Sequence, residues 1–134
     1  MIKLTIPGEP MAKGRPRFFK GHAITPSKTR NYETLIQELF IIAYPDHELI
    51  EGQLSASLDA YFSIPKAWSK KKVSEALQGN LRPIKRPDID NIIKVLDGLN
   101  GIAFKDDSQI VSIMARKWYS HTPRLEIEIK EVQA

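Results

Sequence analysis

The chain has 134 residues, of which 42% are hydrophobic and 27% are charged. This composition is typical of one globular domain, and it excludes collagen-like, coiled-coil and wholly disordered classes. The absence of cysteine excludes disulfides, thiolate zinc sites, iron–sulfur clusters and a cysteine nucleophile. No apolar run is long enough for a membrane span or a signal peptide, so we expect one cytoplasmic domain over residues 1–134 with no membrane partner.

The net charge of +4 is unevenly distributed along the chain. Residues 10–30 contain six Lys or Arg and no acid, and residues 66–86 contain seven Lys or Arg and one acid. Such segregation predicts a surface that faces a polyanion, although a solvated loop explains any single basic run equally well. The side chains predicted to contact DNA phosphates are Lys13, Arg15, Arg17, Lys20, Lys70, Lys71 and Lys72.

In chain order, the first half of the sequence predicts a strand, a helix, a second strand and a short helix. Apolar residues alternate with polar ones over 2–6 and over 54–62, which is the pattern of strands with one buried face. Between them, a helix start at 26–27 precedes apolar residues that keep helical spacing from 32 to 43, as far as Pro45, and predict an amphipathic helix. Residues 69–77 predict a short basic helix that ends at a Gly-Asn pair.

The second half predicts one more helix and two strands. Apolar residues lie on one helical face over 89–99, and Gly98 and Gly101 supply stop signals at its end. Strand patterns over 110–119 and 125–129 are separated by a short turn, which predicts a hairpin. The order of elements predicts a small α/β (α+β) domain with a mixed sheet and helices packed on it.

Acidic residues gather where an extended segment meets the helix at 89–99. Asp88 and Asp90 are two residues apart, and alternate side chains of an extended backbone point the same way. On the helix, Asp90, Lys94 and Asp97 fall within roughly 60° of one another, opposite the apolar face. A second acidic pair, Asp106 and Asp107, precedes the next strand, where a loop can bring it back against the start of the helix.

Two interpretations of these acids remain open at this stage. Asp88 or Asp90 can serve as a helix N-cap, with the second pair as turn residues. Against this, carboxylates beside strongly basic segments repel phosphate unless a cation intervenes. Ligands made only of oxygen select Mg²⁺ or Mn²⁺, and these ions join an enzyme to phosphate and lower the pKa of an attacking water.

The motif RPDIDNIIK at residues 86–94, followed by DDSQI at 106–110, resembles the signature of the RusA family of Holliday junction resolvases. The family pattern is D-x-D-N-x-x-K, a helix with an L-D-A/G-L-type end, and D-D-x-Q with a hydrophobic residue; LDGL at 96–99 supplies the middle part. The resemblance implies an intertwined α/β homodimer that makes paired, metal-dependent incisions across four-way DNA junctions in bacteria and their prophages.

The resemblance also implies roles for individual residues. Carried over by position, the family's catalytic groups are Asp88, Asp90, Asp107 and Lys94, and its metal ligands are the three carboxylates among them. Supporting roles fall on Asp106, Asn91 and Arg86. The implied cofactor is Mg²⁺, with Mn²⁺ as the alternative.

We therefore expect a Mg²⁺-dependent, structure-selective DNA endonuclease that resolves Holliday junctions by paired symmetric hydrolysis in recombination and repair. The alternative is a non-catalytic nucleic-acid-binding protein whose acids serve capping and surface roles. A small-molecule phosphohydrolase explains the acids but leaves the two basic segments without a purpose. No glycine-rich phosphate loop is present, so no nucleotide cofactor is expected.

Paired incisions predict a two-fold homodimer, because a four-way junction has approximate two-fold symmetry and one chain carries one acidic cluster. The predicted interface is the strand with apolar residues on both faces that contains Ile110, Val111, Ile113 and Met114.

Overall fold

A computed structural model describes residues 1–12, 17–19, 22–24 and 27–133, with side chains described for 1–12 and 32–133. The strands and helices, in chain order, are β1 Ile2–Pro7, β2 Arg17–Phe19, β3 His22–Ile24, α1 Ser27–Ala43, β4 Leu54–Ser63, α2 Lys70–Leu77, α3 Ile89–Ile93, β5 Ile110–Ser120 and β6 Arg124–Glu131. Two 3₁₀ helices, Lys94–Leu99 and Asp107–Gln109, follow α3 and precede β5.

The core lies between one face of a four-stranded sheet and the helices. The strand order is β1-β6-β4-β5; β4 pairs with β6 in antiparallel fashion and with β5 in parallel fashion. Every second side chain of β1 and β4 is buried, as the alternating sequence predicts. The largest fully buried side chains include Phe40 from α1, Leu58 from β4 and Ile127 from β6. This α+β arrangement with a mixed sheet confirms the predicted fold class.

The predicted hairpin of the last two strands is wrong. β5 and β6 are not neighbours, because β4 lies between them and is hydrogen-bonded to both. The short connection at residues 121–123 passes over the end of β4 instead of folding β6 directly onto β5. β4 contributes five buried side chains to the core, so a central position that pairs both of its edges is favoured over a local turn.

The helix predicted over 89–99 is an α-helix only as far as Ile93, and a 3₁₀ helix continues to Leu99. A 3₁₀ helix has three residues per turn, so Leu96 and Leu99 share one face. Both are buried, as are the adjacent Val95 and Gly98. Gly98 also faces Glu33 of α1, where an added Cβ would lie 3.7 Å from the glutamate side chain. Packing against α1 therefore decides the local helix type.

Two further features complete the fold. Strands β2 and β3 pair with each other in a small antiparallel sheet within the basic segment 10–30, which no sequence pattern predicted. The other predicted elements, β1, α1, β4 and α2, are confirmed, each with ends within two residues of the prediction. In the part of the chain that is described, no helix is long and apolar enough to cross a membrane.

Candidate active site

Asp88 and Asp90 lie on the surface where the chain enters α3. Asp88 occupies the N-cap position of α3, but its side chain makes no capping hydrogen bond. Asp90 lies exposed in the first turn. Asp88, Arg86 and Asn91 line a cavity of about 570 Å³. Asn91 Oδ1 is buried and has no hydrogen-bond partner among the described residues. The capping interpretation therefore does not account for the side chain of Asp88.

Asp107 meets Asp97 at the other end of this helical segment. The two carboxyl groups are within hydrogen-bonding range, and this contact, followed by burial and repulsion from Asp97, raises the pKa of Asp107. Asn100 Nδ2 donates to Asp107 Oδ1 over 3.5 Å, while Asn100 Oδ1 is buried and without a hydrogen-bond partner in the described part of the chain. Asp97, Asp107 and Lys94 line a cavity of about 340 Å³ beside the start of β5.

The position of Asp107 differs from the expectation that a loop returns it to the start of the helix. Gly101, with a φ of +76°, donates its N–H to Phe104 O over 2.7 Å, so the chain reverses immediately after the 3₁₀ helix. Asp88 and Asp97 are nine residues apart on the helical segment, a rise of roughly 15 Å, so one ion cannot contact both. Among the described residues, no three acidic or histidine side chains form a ready metal cage.

Asp106 has a structural role next to this pair. Its Oδ2 accepts the N–H of Ser108 over 3.1 Å, and Gln109 Oε1 accepts the N–H of Asp106 over 2.9 Å, which forms a capping box. Gln109 Nε2 also donates to the carbonyls of Ile50 and Gly52. These bonds fix the turn that presents Asp107. The expectation that the second acidic pair are turn residues is thus confirmed for Asp106.

Two charged residues of this region were not among the predicted site residues. Asp97 lies on the predicted polar stripe and in the LDGL element, and these two signals together nominate it as a site residue. Lys117 of β5 had no local signal, because its place depends on the pairing of β5 with β4. Its Nζ donates to the carbonyl of Lys85, and burial lowers the pKa of Lys117 while the nearby Asp88 opposes that shift.

Comparison with known proteins decides the family. A family model described as endodeoxyribonuclease RusA matches residues 7–130. The chain belongs to the RusA family. It is also similar to the uncharacterized protein YqaN of Bacillus subtilis (strain 168), with 40% identity over 140 residues that cover 99% of this chain and 98% of the relative. Family membership identifies the chain as a nuclease of the endodeoxyribonuclease type and confirms the resemblance that the motifs suggested.

The basic residues of this RusA-family chain are only partly visible. Lys70, Lys71 and Lys72 form the exposed first turn of α2, which Ser69 caps by accepting the Lys72 N–H over 3.2 Å. Lys72 Nζ lies 4.3 Å from the ring centroid of Trp68. Lys13, Arg15 and Lys20 lie outside the described residues, as does the side chain of Arg17. Phosphate contact by these side chains stays a prediction.

Replacing Lys70 or Lys71 with alanine should weaken binding to junctions of every sequence to a similar extent. For each phosphate that the variant no longer neutralises, the slope of log Kd against log salt concentration should fall by about one. The control is Lys3→Ala. Lys3 lies on β1, at the edge of the sheet opposite to β5, on which α2 packs, and it pairs with Glu128 over 3.6 Å. Fluorescence anisotropy over a salt series measures the slope. A slope equal to that of the control would remove α2 from the DNA interface.

In chelator, Asp97→Asn should stabilise the protein at pH 8, because the substitution removes the carboxyl–carboxyl contact and the charge repulsion by which Asp97 raises the pKa of Asp107. For a partly exposed pair we expect a rise in Tm of about 1–4 °C. The gain should shrink as pH falls through the raised pKa of Asp107, because protonation then relieves the repulsion in the wild type. Asp46→Asn in an exposed turn is the control. A Tm that falls at every pH would instead indicate that Asp97 has a structural role.

Proposed function

We propose that this protein is a Mg²⁺-dependent endonuclease that resolves four-way DNA junctions by paired, symmetric phosphodiester hydrolysis, in DNA recombination and repair. The observation that carries the proposal is the contact between the carboxyl groups of Asp97 and Asp107 beside Lys94. Two carboxylates that repel each other at an open cavity cost stability unless they recruit a cation. In a family of endodeoxyribonucleases, such a pair is best explained by the chemistry of phosphodiester cleavage.

The donor atoms fit a hard divalent cation. The carboxylate oxygens of Asp97 and Asp107 lie beside one another at the cavity, and this donor set contains oxygen only. Asp97 therefore joins the predicted ligand Asp107. The predicted ligands Asp88 and Asp90 lie toward the start of the same helical segment, too far from Asp97 to share its cation, and would hold a separate one. When bound, Mg²⁺ would offset phosphate charge and lower the pKa of an attacking water; Mn²⁺ would do the same.

The chain's own residues would hold and orient the scissile phosphate. Lys94 is exposed beside the Asp97–Asp107 pair, where its ammonium group can offset the negative charge that develops on the phosphate. Gln109 and Asp106 keep Asp107 in place through the capping box and the bonds to the loop at 50–52. Asn91 and Arg86 line the cavity next to Asp88, where they can contact the DNA backbone.

Paired incisions require two such sites in one complex, and we propose a two-fold homodimer that pairs through β5. This strand is 11 residues long and forms the edge of the described sheet. Val111 and Met114 on it are 57% and 56% exposed. A long edge strand with exposed apolar side chains favours pairing with another chain. Two-fold pairing would place two Asp107 sites on one junction.

The alternative of a non-catalytic nucleic-acid-binding protein is weaker. Capping accounts for Asp106, whose side chain does cap a 3₁₀ helix, but it does not account for the approach of Asp107 to Asp97. The side chain of Asp88 also caps nothing. A binding protein therefore leaves the acids nearest the cavities without a role.

Incubation of the purified protein with matched four-way, linear duplex and single-stranded DNA tests the proposal. With Mg²⁺, and with Mn²⁺ in its place, we expect cleavage of the four-way junction alone; with chelator we expect binding without cleavage. Junction binding without cleavage under every metal condition would favour the binding protein. Equal cleavage of all three DNAs would contradict structure selectivity.

A further inference from the structure

We infer that a clamp centred on Arg82 and Trp118 positions residues 85–88, which lead into α3 and include Asp88, for the proposed cleavage reaction. This inference rests on the proposed function. The clamp joins β4, β5 and the connection between α2 and α3, and it consists of Asp59, Arg82, Lys117 and Trp118. None of these residues touches the Asp97–Asp107 cavity. They are therefore positioning residues and not catalytic ones.

The first part of the clamp fixes the ring of Trp118. Its Nε1 donates to Asp59 Oδ1 of β4 over 2.8 Å. The same carboxylate accepts two hydrogen bonds from Arg116, Nε to Oδ1 over 2.8 Å and Nη2 to Oδ2 over 3.1 Å. The side chain of Asp59 is only 17% exposed. A carboxylate held by a bidentate arginine gives the indole a single hydrogen-bonded orientation.

The second part attaches the connection to that ring. The guanidinium carbon of Arg82 lies 3.9 Å from the ring centroid of Trp118, and Arg82 Nε donates to the carbonyl of Lys117 over 2.8 Å. Gly79, with a φ of +82°, packs on the same indole, where an added Cβ would lie 3.0 Å from Cζ3. Only a residue without a Cβ fits this approach without a shift. The connection is thus held on Trp118 at two points.

The third part extends the attachment toward Asp88. Lys117 Nζ donates to the carbonyl of Lys85, so Lys117 receives a bond from Arg82 and gives one to Lys85. Pro83, which lies between Arg82 and Lys85 in the chain, is buried. Asp88 follows Lys85 by only three residues, and its carbonyl accepts the N–H of Ile92 over 3.0 Å at the start of α3. The position of the clamp therefore sets where α3 begins.

A charge-conserving substitution separates positioning from DNA contact. Arg82→Lys keeps the positive charge but loses the planar stack on Trp118 and the Nε donor. We expect the single-turnover cleavage rate at saturating junction DNA to fall by about 10- to 100-fold, because small displacements of catalytic groups have effects of this size. The junction Kd should be unchanged. Trp118→Phe, which keeps a ring but loses the bond to Asp59, should lower the rate by a smaller factor.

The chain offers a matched control. The guanidinium carbon of Arg124 lies 3.9 Å from the ring centroid of Tyr61, and its Nη1 donates to the carbonyl of Thr122 over 2.8 Å. Arg124→Lys therefore removes the same kind of stack and carbonyl bond elsewhere in the fold. Its cleavage rate should equal that of the wild type. Equal rates for Arg82→Lys and Arg124→Lys, or a change confined to Kd for Arg82→Lys, would overturn the inference.

Amide hydrogen exchange at Ile92 tests the clamp without relying on cleavage. Its N–H bonds to Asp88 O and reports on the first turn of α3. Exchange should be several-fold faster in Arg82→Lys than in the wild type and unchanged in Arg124→Lys. If the wild-type protein cuts no junction, the proposed function fails, and this comparison alone decides whether the clamp positions the segment. Unchanged exchange in Arg82→Lys would overturn the clamp.

Discussion

Asp107→Asn is expected to lower the rate of junction cleavage by about 10³-fold or more while the protein stays folded and binds junction DNA. The substitution removes the charge of the carboxylate that meets Asp97, so the proposed cation loses a ligand and the attacking water loses its activation. Asp88→Asn and Asp90→Asn should have effects of similar size, because each would remove a ligand of the separate cation proposed at the start of α3. Single-turnover cleavage at saturating DNA measures the rate, and thermal unfolding establishes that each variant is folded.

The neighbouring carboxylate provides the matched control. Asp106 caps a 3₁₀ helix, and asparagine is as good an N-cap as aspartate. Asp106→Asn should therefore cut at close to the wild-type rate. Undiminished cutting by Asp107→Asn would remove Asp107 from the cation site. A large fall in the Tm of Asp107→Asn, with binding also abolished, would point to a structural role for Asp107.

Heterodimers with one active site should nick a supercoiled cruciform plasmid without linearising it. They form when active protein is mixed with an excess of Asp90→Asn, because a two-fold dimer exchanges identical subunits. The wild-type dimer should linearise the same plasmid, since its two sites cut opposing strands within one complex. Agarose electrophoresis separates the products. In mixtures that are unfolded and refolded together, so that subunits have exchanged, linearisation in proportion to the remaining active protein would show that one chain makes both incisions.

Substitutions on β5 should break the dimer itself. Sedimentation of the wild type should give about 30 kDa, twice the 15.2 kDa chain. Val111→Glu should yield a monomer, because a charge on an edge strand opposes pairing with another chain. Ile42→Glu is the control, since Ile42 is 76% exposed on α1 and lies outside the proposed interface. A dimer that survives Val111→Glu unchanged would place the interface elsewhere.

Much of the fold was predictable because its signals are local. The alternation of β4, the helical spacing of α1 and the end of α2 before Gly79 each appear in the sequence and in the structure. The pairing of strands is not a local property. Residues 121–123 look like a hairpin turn, but β4 is hydrogen-bonded along both edges and lies between β5 and β6. The 3₁₀ helix after Ile93 is set in the same way, by packing against α1.

The candidate site was also predictable only where its signals are local in the sequence. The motif predicts Asp88, Asp90, Lys94 and Asp107 as site residues, because the spacing of charged residues is visible in the sequence. It did not reveal that Asp107 meets Asp97, since that contact depends on the tight reversal at Gly101. Nor did it reveal Lys117, which reaches Lys85 only after β5 has paired with β4. Contacts made across the sheet have no counterpart in sequence spacing.

Mapping the incisions on a four-way junction whose strands are labelled one at a time tests the central claim most directly. With Mg²⁺, the account predicts cuts at symmetric positions on two opposing strands and products that are two nicked duplexes. No cuts should appear in chelator or with Asp107→Asn. Incisions on a single strand, or cuts at unrelated positions on all four strands, would contradict paired resolution by this protein.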